Sequence, residues 1–537
     1  MVQNATASFA TADEALQAAQ AARAAGRPLE ELASAELATR LAPERNDAWI
    51  ALAGAAARAN RPDIADRAQQ RGLETTSDPV QKARLSVDRA WTLVNLGRWA
   101  EAAQIVRKPW PELAEDPIAR VIQAASLATL GYAAEAAPHL EYATSQMPQR
   151  ADFWYNLAVA YRALGRLDEA RVALDRTVRE APGFLQAYEL IGLLKKATPQ
   201  DNFVPELQAI RRRLQPTPEA ARIDYAMFKQ LDDLGRTVEA WGVLARATQV
   251  MQGVSRYSAA EDAATAEAMK GAFPAKARGA GGEGVRNVFI VGLPRTGTTL
   301  IERIIGAHPR AKALGELEAF GRAVKAAADL PFHPYVDVRV ARGADRIDWA
   351  AVGANYRSEA GALADGAELV TDKMPLNWWY AGAIAAALPD AKILHVRREP
   401  MDALFGAFKM PFAPAFDWSY RFEDMAAHYK VYRDLTDHWR ATLGDAFVEV
   451  DYEDVVRAPD TGVPALLEKL GLSFDEACLA PEKAKVSVMT PSASQVREPI
   501  SIEKVGAWRT YEKELEPLRA LLEQGGWVDA KGDGVRA

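Results

Sequence analysis

Residues 287–300 read NVFIVGLPRTGTTL. Val288 to Val291 is an unbroken apolar run, which predicts a short strand buried on both faces of a parallel sheet. Gly292 to Gly297 form a turn with Pro294 inside it. Beyond Thr298, Leu300, Ile301, Ile304 and Ile305 recur at helical spacing. Strand, glycine loop and helix together make the phosphate-binding unit of open α/β sheets. The glycines let the backbone approach closely, and the first N–H groups of the helix point at an anion.

The spacing matches the nucleotide P-loop, G-x-x-x-x-G-K-[ST], at Gly292, Gly297 and Thr299, but Thr298 stands where the lysine belongs. That lysine reaches the outer phosphates of a nucleoside triphosphate. Without it the loop can hold one phosphate through N–H groups, two hydroxyls and Arg295. GLPRTGTTL resembles the 5′-phosphosulfate loop of sulfotransferases that use 3′-phosphoadenosine 5′-phosphosulfate. The variant is similar to the tyrosylprotein sulfotransferases and to bacterial proteins that fuse tetratricopeptide repeats to such a domain. The resemblance covers roughly residues 287–520.

The chain has 537 residues, 49% hydrophobic, so two or more domains with ample core are expected. A net charge of −7 argues against a general nucleic-acid binder. The single cysteine, Cys478, permits no intrachain disulfide and no cysteine metal cluster. No signal peptide and no run of 18 apolar residues is evident. A cytoplasmic, bacterial-type protein is the expectation.

The first half is rich in Ala, Leu, Glu and Arg and nearly empty of strand signals. Gly97, Gly131 and Gly165 lie 34 residues apart, each opening a similar phrase. That period is the one of tetratricopeptide repeats, pairs of antiparallel helices. Gly26 and Asn60 head weaker copies, and Trp49 precedes Asn60 by the 11 residues that separate Trp154 from Gly165. About five repeats are expected, with residues 200–270 read as helices that fit no clean repeat. Such a stack carries a concave groove. The groove either takes a peptide or partner protein or serves as a scaffold, and a homodimer is left open.

Further motifs follow the loop. AHPRAKALGELEAF offers Glu316, with Glu318 as second candidate, as the base that takes the proton of an attacking hydroxyl. The resemblance places the family glutamate at Glu316, counted from His308-Pro309, and His308, which follows the phosphate helix rather than facing the loop, reads as structural. Residues 330–345 read as an irregular loop. Asp372 and Lys373 fall after a strand at Glu368 to Thr371, where open α/β sheets place ligands. Lys373 resembles the lysine that stabilises the departing phosphate oxygen. Ile393 to Val396 predicts another strand, with Arg397 and Arg398 at its end. Here Arg398 resembles the arginine of the 3′-phosphate site. The family's serine falls at Gly406, a departure from the pattern. Phe412, Phe416, Trp418 and Tyr420 form either an acceptor lid or core. Tyr452, after a third strand at Phe447 to Val450, resembles the tyrosine near the adenine. Ser492 and Arg497 resemble late phosphate ligands.

The expected architecture is multidomain. An all-α tetratricopeptide-repeat solenoid (1–270) and a linker (271–286) precede an α/β, P-loop-like sulfotransferase domain with a central parallel sheet (287–537). The resemblance implies sulfuryl transfer from 3′-phosphoadenosine 5′-phosphosulfate to a hydroxyl, most readily a tyrosine of a peptide or protein. Glu316, Lys373 and Arg295 would be catalytic. Arg295, Thr296, Gly297, Thr298, Thr299, Arg398, Tyr452, Ser492 and Arg497 would hold the donor, without a metal. Three alternatives stay open: a glycan or small-alcohol acceptor, a P-loop phosphotransferase, and a non-catalytic interaction protein.

Overall fold

The structure, a computed structural model, describes residues 9–273, 285–412, 414–483 and 499–535. Ser492 and Arg497 lie outside the described residues. The chain forms two compact units, Met1–Ala160 and Tyr161–Ala537.

The repeat turns share one backbone device. Gly26, Asn60, Gly97, Gly131 and Gly165 all have positive φ. The next residue's N–H closes back on a carbonyl five residues earlier, as in Arg27 to Ala22, Arg61 to Ala56 and Arg98 to Leu93. Tyr132 to Leu127 and Arg166 to Tyr161 repeat it. This is the Schellman closure, which satisfies the orphan carbonyls of one helix and aims the chain back antiparallel. Gly235 (φ 71°), with Arg236 N–H on Leu231 O, is a further copy between helices Pro218–Asp233 and Thr237–Gln252. It lies 70 residues after Gly165, about two periods on, so residues 200–270 do contain a clean turn of the repeat type. Trp49 and Trp154 each donate the indole N–H to the carbonyl of a proline six residues back, Pro43 and Pro148, at 2.8 Å.

The second unit contains a five-stranded, all-parallel sheet. Its strands are β1 (Arg286–Val291), β2 (Ala311–Ala313), β3 (Leu369–Asp372), β4 (Lys392–Arg397) and β5 (Phe447–Asp451). Their order is β2-β3-β1-β4-β5. The chain leaves β1 for one side and returns to the other, so the crevice between β1 and β4 is the switch point where ligands bind. Both faces of β1 are covered. Val288 and Ile290 pack with Ile301, Ile304 and Ile305 of helix Thr298–Gly306. On the other face Phe289 meets Tyr356 (4.9 Å between centroids) and Phe320 (5.6 Å). Burial of each such side chain stabilises by about 1.5–3 kcal/mol, which pins the strand that ends at the loop. β2 was not anticipated, and the irregular loop expected at 330–345 contains a short helix, Val338–Arg342.

Helices Pro218–Asp233 and Thr237–Gln252 pack within the second unit on the segment after β4. Phe228 meets Phe405 (6.5 Å) and Tyr511 (5.9 Å), and Trp241 stacks on Phe408 (6.0 Å). The Tyr511 hydroxyl donates to Asp232 at 2.8 Å.

Candidate functional site

The loop after β1 is tight enough that its glycines are obligatory. A Cβ on Gly292 (φ 153°) would stand 2.7 Å from the Val396 carbonyl oxygen. One on Gly297 (φ 94°) would stand 2.3 Å from the Tyr452 ring. The Tyr452 ring therefore lies directly against the loop, which places this residue at the predicted site. Gly297 is the N-cap of helix Thr298–Gly306 and offers no side-chain cap, so the first-turn N–H groups of the helix remain for an anion. Thr296 is spoken for in part, its hydroxyl donating to Leu293 O at 2.8 Å. Thr298 is buried and Thr299 half-buried.

Arg295 has φ 70°, unusual for a side chain with a Cβ. Burial, and then the charge of Arg398, push its guanidinium down to about 10. Arg397 and Arg398 separate in role. Arg397 makes two 2.9 Å bonds to Asp451 on β5. Arg398 turns to the loop, donating to Arg295 O at 2.8 Å and to Lys504 O, with its guanidinium 4.8 Å from the Tyr452 ring. Its Nε is buried without a hydrogen-bond partner among the described residues. An unsatisfied guanidinium nitrogen is costly in a protein interior, and an anion would satisfy it.

On the other side of β1, just after β3, Lys373, 1% exposed at the side chain, makes an ion pair with Oε1 of Glu316, which is 42% exposed. Glu318 instead pairs with Arg322 at 2.6 Å. Of the two candidates, only Glu316 meets Lys373. A buried residue holds Glu316 in place. Glu302 accepts from Gly315 N at 3.0 Å and from the Thr371 hydroxyl at 3.2 Å. Burial raises its pKa, and Lys373 lowers it less. Sequence reading missed Glu302, although a glutamate amid the isoleucines of LIERII was a visible signal. Asp402 was missed as well. It is buried and accepts from Gly506 N (2.6 Å) and Trp508 N (3.1 Å), tying the late segment to the helix after β4.

His308 is tied to backbone groups. Its Nδ1 accepts from Arg310 N at 3.1 Å, and Nε2 lies 3.1 Å from Ser473 O. Trp418 and Tyr420 are buried in the core. Gly406 has a physical account: a Cβ there would sit 2.9 Å from Arg295 Cβ. The arginine of the loop occupies the space that a serine would need. No cluster of three or more metal-ligating side chains occurs among the described residues. No helix among them is long and apolar enough to cross a membrane.

Comparison with known proteins agrees with this architecture. Residues 287–476 match the model of the sulfotransferase family, and residues 127–194 match a tetratricopeptide repeat. An uncharacterised protein of Aquifex aeolicus (strain VF5) is 26% identical over 407 residues, 73% of this chain and 53% of the relative. The chain thus spans about half the length of that curated relative. Among solved structures, the sulfotransferase domain of the Synechococcus PCC 7002 olefin synthase is 16% identical (TM-score 0.27), over 44% of this chain and 98% of that domain. The sulfotransferase domain of the curacin biosynthetic pathway is 13% identical (TM-score 0.27), over 44% and 99%. YrrB, a tetratricopeptide-repeat protein with an unusual peptide-binding site, is 22% identical (TM-score 0.27), over 34% and 92%. Residues 287–476 thus carry the sulfotransferase-family match and residues 127–194 the tetratricopeptide-repeat match.

Proposed function

We propose that the protein is a sulfotransferase that moves a sulfuryl group from 3′-phosphoadenosine 5′-phosphosulfate to an acceptor hydroxyl. The observation that carries this reading is the loop itself. Lacking the triphosphatase lysine, it presents a tight glycine loop with the Tyr452 ring against it and Arg398 facing it, the Arg398 Nε having no partner among the described residues. Gly292, Thr296, Gly297, Thr298, Thr299 and Arg295 would hold the 5′ end of the nucleotide. Arg398 would hold the 3′-phosphate, and Tyr452 would lie against the adenosine. Ser492 and Arg497 stay in the proposal as late ligands.

The bound donor supplies a sulfur centre joined to a good leaving group, a phosphate oxygen. The residues of this chain do the rest. Lys373 holds positive charge where that oxygen gains its negative charge. Glu316 takes the acceptor's proton as its oxygen bonds to sulfur and the old S–O bond breaks. The Lys373–Glu316 pair holds both side chains at one place before substrates arrive. Lys373 engages Oε1, which leaves Oε2 for the acceptor.

The domain limits 1–270, 271–286 and 287–537 are proposed as functional limits. Tetratricopeptide repeats generally bind proteins or peptides, so a tyrosine of a protein or peptide is the proposed acceptor, brought to the site by the repeat groove. Cytoplasmic location and a homodimer are part of the same proposal.

The test is calorimetric titration with adenosine 3′,5′-bisphosphate against ATP and AMP. Selective binding of the bisphosphate is expected, and binding of ATP alone would overturn the reading. Radiolabelled transfer to a panel of peptides, glycans and phenols then decides the acceptor. A preference for free phenols would sink the peptide assignment.

A further inference from the structure

Three cations from three segments border helix Pro400–Phe408. Arg295 comes from the loop and Arg398 from the strand end. Lys409 caps helix Pro400–Phe408 at its C-terminal end. Asp402, Gly406 and Lys409 recur at four- and three-residue steps, which puts them on one helix face. That face meets Arg295 at Gly406 and lies 3.7 Å from Arg398 at Asp402. Of the nearby carboxylates, Asp402 already accepts two backbone N–H groups and Asp232 accepts the Tyr511 hydroxyl. The Lys409 ammonium has no hydrogen bond or ion pair among the described residues. It sits over the Phe405 ring at 4.5 Å and 6.0 Å from the Phe228 ring. Ring faces hold a cation loosely, and a half-buried ammonium without a polar partner in the protein is unfavourable. Burial presses it down to about 8, with Arg295, Lys504 and Arg398 adding to the fall and Asp232 opposing it.

We propose that Lys409 is a phosphate ligand of the donor site, positioned by Phe228 and Asp232 of the helix Pro218–Asp233, and that with Arg295 it replaces the hydroxyl missing at Gly406. The proposal rests on the donor assigned above. It makes a helix from the repeat half of the chain a structural part of nucleotide binding. A phosphate supplies the acceptor oxygens that the ammonium lacks, and its charge balances three clustered cations. Asp232 acts through Lys409 and Tyr511 and is a positioning residue.

Full-length protein and the Lys409→Met variant are titrated with adenosine 3′,5′-bisphosphate and with AMP. The expected result is a fall of at least about tenfold in bisphosphate affinity, with AMP affinity changed less than about twofold. Unchanged bisphosphate binding, or equal losses for both nucleotides, would overturn the assignment. Failure of the unaltered protein to bind the bisphosphate would defeat the donor reading itself, before any variant is compared. A second readout needs no variant. Acetylation at about pH 8, read by mass spectrometry, should modify Lys409 in the free protein and spare it when the bisphosphate, but not AMP, is present. Modification unaffected by the bisphosphate would refute the contact. Asp232→Asn should shift the alkaline loss of bisphosphate affinity to lower pH, because the carboxylate that favours the charged lysine is gone. An unshifted profile would remove Asp232 from the argument.

Discussion

Restoring the family serine at Gly406 should damage donor binding. The Cβ of Gly406→Ser would lie 2.9 Å from Arg295 Cβ and 3.5 Å from its Cγ. Arg295 has little room to retreat: its φ is 70° and its carbonyl is gripped by Arg398. Overpacking of this kind costs about 1–3 kcal/mol. If that strain falls on the bound geometry, affinity drops by about 5- to 150-fold, at ~1.4 kcal/mol per decade. Calorimetry with adenosine 3′,5′-bisphosphate measures it, and thermal unfolding measures the share that falls on the fold. Gly406→Ala carries the same Cβ without the hydroxyl and should lose as much. Adding Arg295→Gly relieves the contact at a backbone conformation glycine favours, so the double variant should recover thermal stability but not affinity. Tighter binding by Gly406→Ser than by the unaltered protein would refute the reasoning, because the serine would then have room beside Arg295.

The other predictions concern neighbouring residues. Glu316→Gln should abolish turnover while leaving bisphosphate affinity within about twofold, since the lost group acts on the acceptor proton. Surviving turnover would move the base elsewhere. Lys373→Ala should lower kcat by about 10²–10³, the scale of one lost preorganised charge contact, with far less effect on Kd. Glu302→Ala leaves the Gly315 N–H and Thr371 hydroxyl unanswered, so a loss of about 1–3 kcal/mol in urea unfolding is expected, with lower kcat and unchanged Kd. The affinity of the unaltered protein should decline as pH rises through about 8, where the free Lys409 loses its proton, and Lys409→Met should flatten that decline. Phe228→Ala, removing a ring that is 2% exposed, should cost about 3–5 kcal/mol of stability. It should also weaken bisphosphate binding, although Phe228 lies in the repeat half of the chain.

What the sequence made legible was local. Strands β1, β3 and β4 were readable because burial on both faces leaves a mostly apolar run, and the half-buried edge strand β5 because Phe447, Val448 and Val450 favour extended backbone. The repeat turns were readable because only glycine or asparagine enters the left-handed region easily. β2, three half-buried residues, carries no such signal. Gly406 read as a defect because a motif records which residue is expected, not which side chain already fills the space. Asp402 acts through hydrogen bonds to backbone groups, which leave no residue-type partner to find, and Glu302 through one backbone group and a hydroxyl 69 residues away. Lys409 was invisible as a candidate because its surroundings come from distant text. The Tyr511–Asp232 bond that borders it joins residues 279 positions apart.

That distance bears on how the two halves evolved to work together. If the helices Pro218–Asp233 and Thr237–Gln252 served only as a spacer, their side chains toward the α/β domain would need only to be apolar. They carry Asp232, aimed at Tyr511, and Phe228, beneath Lys409. A half-buried carboxylate hydrogen bond and a cation–ring contact are more demanding than apolar packing, because each fails if its partner shifts. Both converge on helix Pro400–Phe408 and on the segment that begins after the described gap at 484–498, whose Gly506 and Trp508 are fastened to Asp402. Strain applied to Thr237–Gln252 would reach Tyr511 through Trp241, 5.8 Å away. Trp241→Ala should therefore change bisphosphate affinity without touching the nucleotide. An affinity equal to that of the unaltered protein, at matched stability, would show that the repeat helices support the domain without tuning its site.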